Sequence, residues 1–221
     1  MGGENVTADF WATVSQPGEL RYQVSRPVPP QAPGPFTFLG RFEFESEQFR
    51  GATVVDIGCG PILHSSWFSG AELVALDPLA NEYRVHVPWN RLDLAKEVYS
   101  CPAEELVPGL VGRADAVVSI NALDHGYDFR LAVSNVAAYL RPGAIAFLSF
   151  DLHDQADDLH PLVLSREFCE SAFADAGLCV ERHSEGLKGN EDQPGQPGQP
   201  RRSYGSHGTA HHWWLRKELV S

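Results

Sequence analysis

The chain has 221 residues, enough for one large domain or a domain with a small appendage. Apolar residues at 43% and charged residues at 21% describe an ordinary globular protein, and a formal net charge of −12 argues against a nucleic-acid partner, which needs a basic face. No uninterrupted apolar run approaches membrane length, and Cys59, Cys101, Cys169 and Cys179 lack metal-ligand spacing, so reduced thiols and a cytoplasmic, non-membrane protein are expected.

Residues 1–50 carry few clean periods. Pro27, Pro29, Pro30, Pro33 and Pro35 forbid a long helix or a central strand there, yet Phe10, Trp11, Tyr22, Phe36, Phe38, Phe42 and Phe44 would be wasted in a disordered tail. The segment reads as an aromatic, proline-rich appendage with a short helix near 6–14. Either it closes as a lid over a ligand or its rings seal a sheet edge.

From residue 51 the pattern becomes that of a single α/β domain running to 221. Strand-length apolar runs recur at 53–57, 72–77, 97–101, 115–121, 144–150 and 178–183. Between them, Phe129, Ala132, Val133, Val136 and Leu140 share one face at helical spacing, ended by Arg141-Pro142-Gly143. A second helix is predicted behind Ser165 as N-cap, with Phe168, Ala172, Phe173 and Ala176 as its buried stripe and Gly177 as its stop. Apolar strands alternating with helices predict a doubly wound, mostly parallel sheet. The polar stretch 184–210, with its "QPGQPGQP" repeat, reads as a mobile loop, and "HHWWLRKEL" resumes as a last strand that closes the sheet antiparallel.

The stretch "VVDIGCGP" runs a buried strand into a glycine turn. Leu63 stands where a dinucleotide fingerprint would have its third glycine, and no Gly-Lys-Ser/Thr follows for a P-loop. Asp77 closes the next strand, 19 residues beyond Gly58, where a carboxylate can accept bonds from both ribose hydroxyls. Asp56 adds a second acid beside the turn. Two acids with no phosphate clamp suit a cationic nucleoside amino acid rather than a pyrophosphate.

The succession "VVDIGCGP", "LVALDP", "SCPAEEL", "ADAVVSINALDH" and "LRPGAIAFLSF" resembles the ordered motifs of class I S-adenosylmethionine-dependent methyltransferases over roughly residues 50–183. The resemblance implies a Rossmann-like sheet of seven strands with the last antiparallel, S-adenosylmethionine as cofactor and a small-molecule acceptor. It implies that Gly58 and Gly60 flank the methionine portion, that Asp77 binds the ribose, and that Asp56 anchors the loop and meets the amino group. Ala103 and Glu104 would lie along the adenine, and Asn121 with Ala122 would face the methionine moiety. The family often has a third glycine at the position of Ile62 and an acid at that of Pro102, so Glu104 would have to substitute. Tyr22 is taken as a lid residue reaching the cofactor.

Methyl transfer to a hydroxyl calls for a base, and His125, just past the fourth strand, is the candidate, with Asp124 to orient it or to face the cofactor. Neighbouring residues tend to diverge, so one of the pair is expected to point away. The alternative is that His125 only caps the next helix. Some methyltransferases of this fold use a divalent metal to deprotonate a catechol, and Asp151, His153, Asp154, Asp157, Asp158 and His160 are of the types that would hold one, but their spacing matches no known ligand set. The stretch is read as a solvated loop with His153 lining the acceptor pocket; a metal there is the alternative, and none is assigned. His211 and His212 are read as structural. No Asn-Pro-Pro-Tyr/Phe tetrapeptide ends the fourth strand. The function expected is methylation of a hydroxyl or amine on a metabolite, in a monomer or a homodimer. The alternatives are a non-methylating enzyme that keeps the cofactor, a non-catalytic binding protein, or a nicotinamide oxidoreductase, which Leu63 disfavours.

Overall fold

Val54 and Val55 are both fully buried on opposite sides of one strand, and this sets the architecture: both sheet faces are covered. The computed structural model describes residues 6–26, 38–186 and 209–219. In chain order the elements are α1 (Ala8–Phe10), α2 (Gln16–Ser25), α3 (Phe38–Arg41), β1 (Thr53–Ile57), β2 (Glu72–Leu76), α4 (Ala80–His86), β3 (Glu97–Tyr99), β4 (Ala114–Ile120), α5 (Phe129–Tyr139), β5 (Leu140–Leu152), α6 (Arg166–Asp175), β6 (Leu178–Gly186) and β7 (Thr209–Lys217). The seven strands form one sheet in the order β3-β2-β1-β4-β5-β7-β6. β3, β2, β1, β4 and β5 are parallel, and β7 runs antiparallel between β5 and β6. The expected Rossmann-like sheet with an antiparallel last strand is the one observed.

One face is packed by α5 and α6, whose Phe129, Val133, Val136, Cys169 and Phe173 join Val55, Ile57 and Trp213. The other face is filled by Leu39, Phe44, Phe49, Phe68 and Tyr83 against Val54, Ala75 and Phe147. Leu39, Phe44 and Phe49 fall inside the segment expected to be an appendage, and their packing joins 38–50 to the sheet. Ser165 caps α6 as expected, the Phe168 N–H donating to Ser165 Oγ at 3.2 Å, and α5 is capped by Asp128, whose Oδ1 accepts the Leu131 N–H at 3.0 Å. Among the described residues no helix is long and apolar enough to cross a membrane.

Three boundaries differ from expectation. β5 begins at Leu140, ahead of Pro142, because its register against β4 slips between Ala114 and Ala116 and the slip accommodates a residue with no N–H. The hairpin strands consume both ends of the predicted loop, β6 reaching Gly186 and β7 starting at Thr209; the glutamine-proline-glycine repeat lies outside the described residues. The helix near 6–14 extends to Ser25 through a π-helical turn at Trp11–Ser15. That turn lets the Gln16 N–H reach back to Trp11 O directly before Pro17, which has no N–H to give.

Candidate functional site

The site is assembled at the carboxyl edge of the sheet, where β1, β2, β4 and β5 each end in a turn. After β1, Gly58 and Gly60 both take positive φ, +62° and +53°. A side chain at Gly58 would collide with Ala122 Cβ in the turn after β4, whereas at Gly60 a Cβ would meet nothing within 4 Å. Gly58 is therefore required by chain packing, and Gly60 borders open space.

Asp56 and Asp77 flank this turn, both almost fully buried. Asp56 Oδ2 accepts the Ser65 N–H at 2.8 Å and so fixes the loop's far end, while its Oδ1 is buried without a hydrogen-bond partner. Burial pushes the Asp56 carboxyl up to about 7, against the pull of Ser65, and the charge of Asp77 adds to the rise. Asp77 accepts from the Gly60 N–H at 2.9 Å and the Leu79 N–H at 2.8 Å, which ties the glycine turn to the end of β2. Burial raises it to about 6; those two N–H groups oppose the rise, and Glu19 of α2 adds to it. The N-terminal helix is thus close enough to this cleft to act on its charge. Two buried acids with one unpaired oxygen and an open glycine face fit a ligand that carries an ammonium group and vicinal hydroxyls.

Glu104 and Ala103 sit after β3. Glu104 is buried, and its Oε1 accepts the Tyr127 N–H at 2.7 Å and the Asp128 N–H at 3.1 Å; burial raises its pKa and these bonds temper the rise. Its carboxylate therefore braces the loop that follows β4, and Gly126 is small because a Cβ there would strike Glu104 Oε1. Ala103 O accepts from Asn135 Nδ2 at 2.8 Å. Tyr22 is exposed, with the Arg26 guanidinium 5.4 Å from its ring centre; Phe36 lies outside the described residues.

On the other side of the edge, Asn121 leaves β4 with φ +53° and sends Nδ2 to within 3.3 Å of His125 Nε2. The next turn, Leu123–His125, is 3-10 helical, and here the expected divergence of Asp124 and His125 does not occur. Asp124 Oδ2 lies 3.9 Å from His125 Nε2 and 3.5 Å from His153 Nε2, the latter arriving from the end of β5. Asp124 is fully buried and neither of its oxygens has a hydrogen-bond partner. Burial alone would raise its pKa, but the imidazoles of His125, His153 and His160 outweigh this and hold it at about 2. His160, read as part of a solvated loop, sets its ring, tilted, 4.4 Å from that of His125 and 4.2 Å from that of His153. Of its stretch only Asp154, Asp157 and Asp158 are exposed acids as expected; Asp151 and His153 are buried. His211 and His212 are structural members of β7, hydrogen-bonded to His183 at 3.0 Å and Ser149 at 2.8 Å.

Trp11 was legible only as an aromatic of the appendage. It is buried, its Nε1–H donates to His125 O at 2.7 Å and its ring meets Tyr127 edge-on at 5.2 Å, so the N-terminal helix docks on the turn that carries Asp124 and His125.

Comparisons with known proteins bear on the family and the fold. A methyltransferase-domain family model matches residues 36–186. The ubiquinone biosynthesis O-methyltransferase of Xanthomonas axonopodis pv. citri is 32% identical over 116 residues, which cover 49% of this chain and 48% of the relative; the chain thus matches about half the length of that curated protein. The 1,6-didemethyltoxoflavin-N1-methyltransferase of Burkholderia thailandensis, solved with 1,6-didemethyltoxoflavin and S-adenosylhomocysteine, superposes with a TM-score of 0.55 at 16% identity, covering 96% of this chain and 86% of that one. The [4+2]-cyclase SpnF superposes with a TM-score of 0.59 at 11% identity, covering 80% and 78%. At such identities these structures share the fold.

Proposed function

The chain belongs to the methyltransferase-domain family, and on that premise we propose that it transfers the methyl group of S-adenosylmethionine to a hydroxyl or amine of a small-molecule metabolite. The observation that carries the reading is the glycine turn bracketed by two buried carboxyls, with open space at Gly60, on the same sheet edge as the Asp124–imidazole cluster. When bound, the cofactor supplies a methyl group already activated by its sulfonium charge, so the protein's part is alignment and charge.

Asp77 keeps lone pairs beyond the two N–H groups it holds, and offers them to the ribose hydroxyls. The unpaired Asp56 Oδ1 favours the ammonium end of the methionine portion, along Gly58, Gly60 and Asn121. Ala103 and Glu104 form the adenine side, Glu104 chiefly by holding the 126–128 backbone in position. On the acceptor side His125 takes the acceptor's proton, with Asp124 behind it and His153 across the carboxylate. The helix from Ala8 to Ser25, latched by Trp11, is the lid that excludes water from the edge. The acidic surface favours a small metabolite over nucleic acid. One relative named for ubiquinone biosynthesis and one neighbour named for 1,6-didemethyltoxoflavin point the same way.

Calorimetric titration of ligand-free protein with S-adenosylmethionine and S-adenosylhomocysteine tests the reading. Binding at micromolar strength or tighter, about −8 kcal/mol, is expected. Asp77→Ala should abolish it, while His125→Ala should bind as the unaltered protein does and turn over more slowly. No binding of either compound by folded protein would overturn the proposal, and binding without methyl gain on any acceptor would favour a non-methylating enzyme.

A further inference from the structure

The cluster between β4 and β5 holds more than a proton acceptor requires. Asp124 is buried with no hydrogen bond to either oxygen, an arrangement that is costly unless a cation lies beside it. Of the imidazoles around it, His153 stands at the outer limit of hydrogen-bond reach, 3.5 Å, and His125 beyond it, at 3.9 Å. Candidate ligand atoms of Asp124, His125 and His160 all lie within 4.8 Å of one another. Ligands held about 2.0–2.1 Å from a shared tetrahedral ion are about 3.4 Å apart, so a small contraction would suffice. The third imidazole is already oriented. His160 Nδ1 lies 3.1 Å from both oxygens of Asp157, which leaves Nε2 for the cluster, and a carboxylate on the outer nitrogen is the usual support of a metal-binding histidine.

We propose that Asp124, His125 and His160 form a site for one divalent transition-metal ion, with Asp157 orienting His160 and His153 standing beside the carboxylate. Two imidazoles and one carboxylate select zinc, manganese, iron(II) or cobalt over magnesium or calcium, which prefer all-oxygen shells. The inference rests on the reading of this edge as the acceptor side and sharpens it. With an ion bound, His125 would serve as ligand in place of its role as base, and the ion's free position would lower the pKa of a hydroxyl acceptor. An amine there would have its lone pair tied up on the metal, so the acceptor is a hydroxyl.

The test is titration of chelator-treated, full-length protein with Co²⁺, followed by visible absorption, and with Zn²⁺, followed by calorimetry. One ion per chain is expected. His160→Gln, which alters a half-buried side chain, should weaken binding at least tenfold, and Asp157→Asn should weaken it by about 10–100-fold. Asp124→Asn should abolish it if that variant folds. A second grouping, His183, Glu185 and His211, serves as control; it is more exposed, and two of its ring nitrogens already face each other at 3.0 Å. His183→Gln should leave binding unchanged. Binding that survives His160→Gln but disappears in His183→Gln overturns the assignment, as does failure of either ion to bind. S-adenosylhomocysteine affinity, measured in the same metal-free samples, separates the two readings. If it is retained while no metal binds, this inference alone fails; if it too is absent, the proposed function fails.

Discussion

Gly58 and Gly60 lie one residue apart with similar dihedral angles, but their surroundings demand glycine for different reasons. Alanine at 58 would combine left-handed strain with a clash against Ala122, for a loss of about 2–4 kcal/mol. Alanine at 60 meets no protein atom and should cost only about 1 kcal/mol, while its methyl group enters the space assigned to the cofactor. Urea denaturation and calorimetry should therefore separate the pair: Gly58→Ala unstable, Gly60→Ala nearly as stable as the unaltered protein but at least tenfold weaker for S-adenosylhomocysteine. Equal losses of stability would remove Ala122 as the constraint. The sequence shows both glycines and both acids because their spacing is local, a strand end and the next strand end. It does not show which glycine answers to the chain and which to a ligand, since Ala122 reaches Gly58 only through the pairing of β1 with β4.

The N-terminal helix is where element-level reading fell short. Prolines and scattered aromatics gave no period, so a helix only to about residue 14 was expected, whereas a wide turn before Pro17 carries it to Ser25. Its anchor, the Trp11 Nε1–H bond to His125 O, spans 114 residues. Trp11→Phe keeps the ring against Tyr127 and deletes that bond. It should cost on the order of 1 kcal/mol and speed amide exchange at His125 and Gly126 while α6 exchanges as before. Unchanged exchange in the turn would mean that the helix merely rests there and does not hold it. By contrast α5 and α6 were legible nearly to the residue, since a stripe at helical spacing and, for α6, an N-cap serine are written in adjacent positions.

At the scale of the molecule, the buried acids set a pH dependence. Asp56 and Asp77 rise from 3.8 to about 7 and about 6, chiefly through burial. Each is faced by backbone N–H groups and by acids, Asp77 beside Asp56 and Glu19 beside Asp77. A carboxyl whose folded pKa exceeds its unfolded value binds its proton more tightly in the native state, so the contribution of these two groups is highest below about pH 4, falls as pH rises to about 7, and is level above. For Asp56 alone the fall is on the order of 4 kcal/mol. Between about pH 5.5 and about pH 8 this loss is opposed by His64 and His212, which burial lowers to about 4 and which stabilise the fold as they lose their charge. The test is therefore the difference between two proteins: Asp56→Asn, which retains an acceptor for the Ser65 N–H, should gain melting temperature relative to the unaltered protein across that interval. A melting temperature that rose over that interval in the unaltered protein and not in the variant would contradict the burial of an ionisable Asp56. The sequence by itself determined the alternation of strands and helices, hence the doubly wound sheet with its antiparallel last strand, and the glycine turn between two acids. These follow from periods and spacings within a few tens of residues. Only the tertiary structure decided that His153 and His160 converge with His125 on one buried carboxylate, that Glu104 braces the backbone of Tyr127 and Asp128, and that Trp11 closes on the same turn. Those contacts join loops whose residues follow no period, and they come into being only when the sheet brings the ends of its strands to one edge.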